Sequence, residues 1–482
     1  MKHQCLCLLL AVGFIPMGAA HADPQPPLSL ERLLATRPRV DQDLSADQAV
    51  EIAWRESPVL RGAVQEVEAA AGRLAAARAE KRPWVSVNTF LGAGSAANIV
   101  GGPDPVQPRM FMGLPGGRFV DQNVSLMVPV YTGGRIQAMV RQAQSLEAAS
   151  EAELATMRQE VALMVRLAYR EVQARRDRVR VYQALLEQNQ ERLRVDQAAL
   201  EVGKIPRYYV LRDTAEVAST EQMLTVAQKD VEVSLLQLKS LMGIHLASKL
   251  ALTEPLGATA ASPVLTGLLS VADQQSGERA LEMDPALTRL LELAGRNRPE
   301  LTTSVGRVQA GEAEVRIGKS AYRPQVTAGV MGDFMKMRGE SPFAGATFAI
   351  VGSLPILDGG LRRARLQTAR SEVKKLEEDR QQLAVRIAEE VGTALLEVRA
   401  AEKNMAVSRT GAAAAEEDYQ AALARYTAGK GINVEVLDAL AASVRAQNNQ
   451  VQAQFDYQIA QDRLARAAGL LGPAGPQIGP KK

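Results

Sequence analysis

Two carboxylates three residues apart, Glu435 and Asp438, are the groups best placed for chemistry. On a helix, positions i and i+3 share a face, so the two acids stand side by side. Such a pair repels itself and attracts cations, and reads either as a solvated surface feature or as part of an acidic lining. Catalysis has no support. His245 is the single histidine beyond the N-terminal segment, without Asp, Glu or Cys neighbours, and neither a Ser-His-Asp set nor a glycine-rich phosphate loop occurs. Cys5 and Cys7 fall in an apolar N-terminal run, which leaves the remainder without disulfides or thiolate metal sites. Met110, Met112, Met335 and Met337 are too scattered to relay a metal. No enzyme activity, cofactor or bound metal is expected.

The elements that must position the acid pair occur twice. Arg82-Pro83-Trp84-Val85 returns as Arg323-Pro324-Gln325-Val326, and Ser57-Pro58-Val59-Leu60 as Arg298-Pro299-Glu300-Leu301, at one common offset. Val128-Pro129-Val130-Tyr131-Thr132-Gly133-Gly134 returns as Leu354-Pro355-Ile356-Leu357-Asp358-Gly359-Gly360, and Val202-Gly203-Lys204 as Ala428-Gly429-Lys430, at a second, shorter offset. The difference falls in Gly/Pro-rich stretches between two strands of each copy, where an insertion disturbs no packed core. At this second offset Glu435 and Asp438 correspond to Tyr209 and Arg212.

Each copy reads as a helix, two strands, a very long helix, a reversing turn and a helix. The first helix starts at Leu44 to Ala49, with Ser45 or Asp47 as its N-cap, and runs to about Lys81. The long helices run from Gly134 to about Val202 and from Gly360 to Ala428, the second interrupted only by Gly392 and Gly411. At 1.5 Å per residue each is a rod of about 100 Å, which must pair laterally because no compact domain can bury it. Leu154, Met157, Val161, Met164, Ala168 and Val172, and Val373, Leu376, Leu383, Ile387, Val391, Ala394 and Val398, set a coiled-coil rhythm. Strands are expected at about 84–92, 120–130, 325–331 and 346–356, each alternating apolar with polar or small residues. Their lengths suit membrane β-strands, with Ala93 to Arg118 and Gly332 to Ala344 as loops. Four strands are too few to close a membrane barrel, so closure needs several copies.

Lys2, the apolar run from Cys5 to Ile15, and Ala20-His21-Ala22 make a signal peptide over 1–22. A leader (23–43) precedes the first repeat (44–246); a linker (247–283) joins it to the second repeat (284–471), and 472–482 reads as a flexible tail. Lys and Arg number 57 against 54 Asp and Glu, a formal charge of +3, which argues against a nucleic-acid partner. No segment after the signal is long and apolar enough for a membrane helix, leaving a soluble coiled-coil scaffold or adaptor and a membrane β-barrel as the two readings.

The duplicated layout, the paired Pro-x-x-x-Gly-Gly joints and the turn from Arg425 to Asp438 resemble the TolC-like outer-membrane efflux proteins, over about Leu44 to Leu471. The resemblance implies a mainly α fold with a membrane β-barrel: a homotrimer whose twelve-stranded barrel in outer-membrane lipid continues into a periplasmic α-helical coiled-coil barrel. It places the linker in a belt around that helical barrel. It makes the chain the exit duct of a tripartite efflux or type I secretion system, served by a periplasmic adaptor and an inner-membrane pump or ATP-driven exporter. Val202, Gly203, Lys204 and Ile205, and Ala428, Gly429, Lys430, Gly431 and Ile432, would be the tips on which the adaptor docks. Glu435 and Asp438 match the acidic pair of the periplasmic constriction, Tyr426 matches a gate tyrosine, and Arg207 and Arg212 are candidate partners across the gate.

Overall fold

The computed structural model describes residues 36–94, 117–254, 284–337 and 341–472. The expected signal peptide, the start of the leader, most of the linker and nearly all of the tail lie outside the described residues. So does the greater part of the first expected loop, with Met110 and Met112. Copy one contains β1 (Gln42–Leu44), α1 (Ala46–Glu56), α2 (Pro58–Ala79), β2 (Trp84–Gly94), β3 (Gly117–Tyr131), α3 (Arg135–Glu201) and α4 (Arg207–Met242). After β4 (Leu250–Leu252), copy two contains α5 (Pro285–Asn297), α6 (Pro299–Ser320), β5 (Gln325–Met337), β6 (Phe343–Ser353), α7 (Leu361–Thr427) and α8 (Asn433–Ala467).

The two rods, α3 and α7, are 67 residues each. Each starts behind a glycine pair in the left-handed region, Gly133 (φ 63°) and Gly134 (φ 92°) in copy one, Gly359 (φ 62°) and Gly360 (φ 91°) in copy two. Only glycine holds two successive positive φ values without steric cost. The expected single first helix is instead α1 and α2, broken at Ser57 (ψ 124°). Proline bars the preceding residue from the α region, so Pro58 forces the break, as Pro299 does at Arg298 (ψ 111°) between α5 and α6. Ser45 is the N-cap of α1, in a capping box with Gln48.

The rods pack mainly on the shorter helices. α3 lies against α2, α4 and α6, and α7 against α6 and α8. The main core gathers Val161, Val165, Tyr169 and Val172 of α3 with Ile387, Val391, Leu395 and Val398 of α7, and with Leu238, Met242 and Leu464. Met164, expected in the seam, is exposed, and Val165 and Tyr169 are fully buried instead. The 3.6-residue turn drifts against a strict heptad, which carries the buried stripe one residue past the expected position. A second, smaller core at the reversing end contains Leu185, Tyr419, Ala422, Val436, Ala439 and Leu440.

The strands form one antiparallel sheet in the order β2-β3-β5-β6. They run further toward the loops than the sequence suggested, because β3 supports β5 as far as Met337 opposite Phe119 and β5 in turn supports Phe343 of β6. Of the expected loop from Gly332 to Ala344, residues 332–337 therefore belong to β5 and 343–344 to β6. At its other end β6 stops at Ser353 and not at Ile356, as Pro355 has no N–H for a ladder. One face carries Val85, Val87, Val124, Leu126, Val330, Phe348 and Ile350, all exposed. The opposite face is mixed: Ser86 Oγ and Ser125 Oγ share a 2.7 Å hydrogen bond and Asn123 donates to Asp333, beside Trp84, Met127, Met331 and Val351. Both outer strands, β2 and β6, have open edges. A separate parallel pair joins β1 to β4, with Leu44 opposite Leu252.

Candidate functional site

The two reversing turns are built alike. In the first, the Gly203 N–H donates to Leu200 O and the Lys204 N–H to Ala199 O, both at 2.9 Å; in the second, Gly429 donates to Tyr426 O and Lys430 to Arg425 O, both at 2.9 Å. These paired bonds are a Schellman stop, which needs the left-handed glycines Gly203 (φ 74°) and Gly429 (φ 71°). Val202, Gly203 and Lys204 are exposed and Ile205 is half-buried; Ala428, Gly429, Lys430 and Ile432 are exposed and Gly431 is half-buried. Val202 at 67 % and Ile432 at 55 % are large apolar side chains left in water at the tips.

Just beyond the second turn, α8 splits into two faces. Val436, Ala439 and Leu440 are buried in the small core, while Glu435 and Asp438 are exposed, with no side-chain hydrogen bond or ion pair among the described residues. Arg207 and Arg212 on α4 are also exposed and unpaired among the described residues, and Tyr208 and Tyr209 beside them lie 4.6 Å apart between ring centroids. The single chain therefore does not join either arginine to either acid. It does join Tyr426 to α3, where its hydroxyl donates to Asp196 Oδ1 at 3.1 Å and Oδ2 at 3.3 Å.

Asp196 belongs to a buried polar cluster that the sequence reading missed. Arg192 Nε meets Asp213 Oδ1 at 3.2 Å and Arg192 Nη2 donates to Asn189 Oδ1 at 3.0 Å. Asn189 Nδ2 donates to Thr220 Oγ1 at 2.9 Å, and that hydroxyl donates to Glu216 O at 2.8 Å. Asn189, Asp213 and Thr220 are wholly buried and Asp196 is 2 % exposed. Among the described residues Asp213 Oδ2 has no hydrogen-bond partner. Burial first, then Asp213, lifts the Asp196 carboxyl to about 6, against the opposing pull of Tyr426 and Arg192. Burial and the nearby Asp196 likewise hold the Tyr426 hydroxyl protonated far above the ordinary tyrosine range. The signal was present: Leu185, Asn189, Arg192 and Asp196 continue the 3,4 stripe of α3, with polar residues where the core would be apolar.

The arrangement is a helical end with exposed charges and apolar tips, its helices α3, α4 and α7 held together by one buried hydrogen-bonded cluster. A model of the outer membrane efflux protein family matches residues 49–244 and 290–470. Protein CyaE of Bordetella pertussis is 26% identical over 443 residues, covering 90% of this chain and 84% of that protein. Among solved structures, the outer membrane protein VceC of Vibrio cholerae shares the fold with a TM-score of 0.69 at 18% identity, over 88% of this chain and 96% of that one. The CmeC outer membrane channel of Campylobacter jejuni does so with a TM-score of 0.67 at 16% identity, over 90% and 87%. With both halves matched by the family model, the chain belongs to the outer membrane efflux protein family.

Proposed function

We propose that this protein is the outer-membrane exit duct of a tripartite efflux or type I secretion system. The observation that carries the reading is a four-stranded sheet, apolar and exposed on one face, with hydrogen-bonded Ser, Asn and Asp side chains on the other and open at both edges, mounted on rods of 67 residues. A soluble scaffold would leave that apolar face in water, whereas a membrane barrel places it in lipid and turns the other face to an aqueous lumen. Three copies contribute four strands each to a twelve-stranded barrel, and the rods continue it as an α-helical tube across the periplasm. The repeats 44–246 and 284–471 supply matching halves of each subunit, with the linker 247–283 in a belt around the tube.

The protein acts as a passive conduit, and the tips control it. The exposed Val202 to Ile205 and Ala428 to Ile432 receive a periplasmic adaptor, which recruits an inner-membrane pump or ATP-driven exporter. Glu435 and Asp438 repeat as six carboxylates around the entrance and bind cations there, with Arg207 or Arg212 of a neighbouring subunit as counter-charge and Tyr426 fixing α7 to α3. The test is single-channel conductance of detergent-extracted protein in planar bilayers, after its oligomer mass has been measured by light scattering. Long-lived cation-preferring openings from a trimer support the reading; a species that stays soluble and never inserts overturns it.

A further inference from the structure

Within the chain, the two copies are joined in one specific way. β3 runs against β5 with Met127 opposite Gly329 and Val128 opposite Ala328, and a bulge between Pro129 and Tyr131 brings Tyr131 opposite Val326. Just beyond, Gly133 is pressed onto Arg323. A Cβ on Gly133 would lie 2.8 Å from Arg323 Cβ and 2.9 Å from Ser320 O, and Arg323 Nη1 donates to the Gly133 carbonyl at 3.3 Å.

The duplication supplies these parts a second time, without a partner. Ser353-Leu354-Pro355-Ile356-Leu357-Asp358-Gly359 is the counterpart of Met127 to Gly133, and Arg82 to Asn88 is the counterpart of Arg323 to Gly329. Gly359 holds the same left-handed φ as Gly133, 62° against 63°, but has nothing within 4 Å of where a Cβ would be. Arg82 is exposed, with no side-chain hydrogen bond or ion pair among the described residues. Leu354, Ile356 and Leu357 stand 52 %, 89 % and 93 % exposed, although their counterparts belong to the paired strand β3.

We propose that β6 of one copy takes β2 of a second copy in the register of the internal joint, locked by the partner subunit's Arg82 on the Gly359 carbonyl. Ser353 then faces the partner subunit's Asn88, Leu354 faces the partner subunit's Val87, and beyond the bulge Leu357 faces the partner subunit's Val85. Face matching supports this register independently. Leu354 and Val87 fall on the apolar side and Ser353 and Asn88 on the opposite side, while a slip of one residue would set one side against the other throughout. The contact is head-to-tail, so it repeats around a ring and leaves no open edge once the ring closes. The inference rests on the channel reading and adds to it the surface and residues by which subunits meet.

Cysteine pairing tests the register. In a chain with Cys5→Ser and Cys7→Ser, the pair Ser353→Cys and Asn88→Cys stands directly opposite across the joint, at about 4.5–5.5 Å between Cβ atoms and within reach of a disulfide. Mild oxidation should give a ladder of linked copies on a non-reducing gel. Ser353→Cys with Ser86→Cys, two residues out of register, should link at least about fivefold less, since diagonal Cβ atoms lie about 7–8 Å apart. Either single-cysteine chain should stay unlinked. Arg82→Ala should lower the temperature at which the oligomer falls apart in detergent, and Arg82→Lys should recover part of the loss. Dominant linkage through Ser86→Cys, dimers from Asn88→Cys alone, or no linkage in a preparation that conducts in bilayers would each overturn the register and leave the channel reading standing. Absence of both linkage and conductance would take down the two together.

Discussion

The buried Asp196–Asp213 pair should make the packing of the tip sensitive to pH, and the sign follows from which state, packed (closed) or opened, holds the proton. With the tip packed as in this structure, burial and Asp213 push the Asp196 carboxyl up to about 6; once the tip opens locally and water reaches it, the carboxyl returns toward 3.8. The closed state thus binds more protons, and acid favours closure. Closure weakens as pH rises from 3.8, because the opened form ionises first, and the loss is complete above about 6. The groups facing Asp196 are Arg192 on its own helix, Asp213 and Tyr209 on α4 and Tyr426 on α7, so a single cation opposes two carboxylates. The rise from 3.8 to about 6 corresponds to about 3 kcal/mol over the whole range, and between about pH 5 and about pH 7.5 the linkage relation gives roughly a tenfold change in opening. Hydrogen exchange of the amides around the first turn, Ala198 to Arg212, corrected for the intrinsic pH dependence of exchange, reads that opening directly. Wild-type protection should fall about tenfold from about pH 5 to about pH 7.5. Asp213→Asn keeps an oxygen for Arg192, gives Asp196 an amide donor and removes the like charge, so its corrected protection should vary by less than about threefold. Flat protection in the wild type, or an unchanged slope in Asp213→Asn, would refute the reasoning.

Tyr426→Phe removes the hydroxyl that bonds both Asp196 oxygens, a charge-assisted contact worth about 1.5–3 kcal/mol, and should raise exchange in the same segment at about pH 7.5 while moving the Asp196 titration further up. Glu435→Gln with Asp438→Asn should leave thermal stability within about 0.5 kcal/mol, since neither acid has a partner in the chain, yet reduce cation preference and cation block and raise ion leak in planar bilayers. Unaltered single-channel behaviour would remove these acids from the entrance. Gly203→Ala and Gly429→Ala force a Cβ into a left-handed residue at a cost of about 1–2 kcal/mol each and should fray the adjoining turns and weaken adaptor capture, measured by exchange and by pull-down of the adaptor.

The residues that made the fold legible are those whose local rule has no competitor. Two successive glycines after a strand can only begin a new direction, and the 67 residues behind each pair carry neither proline nor a second interruption strong enough to stop a helix. Gly392 and Gly411 lie inside α7 because neighbouring turns carry them, at about 1 kcal/mol each. Strand ends were harder to place, since β5 and β6 are extended by their ladder partners rather than by their own alternation. The proline breaks were legible in principle, for Ser57 and Arg298 each precede a proline. The buried cluster was the least legible. Asn189, Arg192 and Asp196 look like the solvated face of a long helix until the position of α4 shows them to be buried, and Asp213 and Thr220 gain meaning only opposite them.

Comparing the copies shows where the duplication was kept and where it diverged. The joint residues Arg82 and Arg323, Gly133 and Gly359, and Gly134 and Gly360 are the same types, and the glycine pairs keep nearly the same backbone angles. At the tips the copies part: Asn189, Asp196, Asp213 and Thr220 correspond to Ala415, Ala422, Ala439 and Ala446. Alanine lets helices approach closely, and such packing does not depend on protonation. A polar core holds only while its hydrogen bonds and proton are in place, and once disturbed it leaves uncompensated buried groups that favour opening. On this comparison the packing of the α3–α4 turn should depend on protonation more than that of the α7–α8 turn. Exchange should separate them, with a steep pH dependence of protection around Gly203 and a weaker one around Gly429, reached only through the Tyr426 hydroxyl on Asp196. Equal pH dependence at both turns would show that the alanine substitutions in copy two carry no such difference.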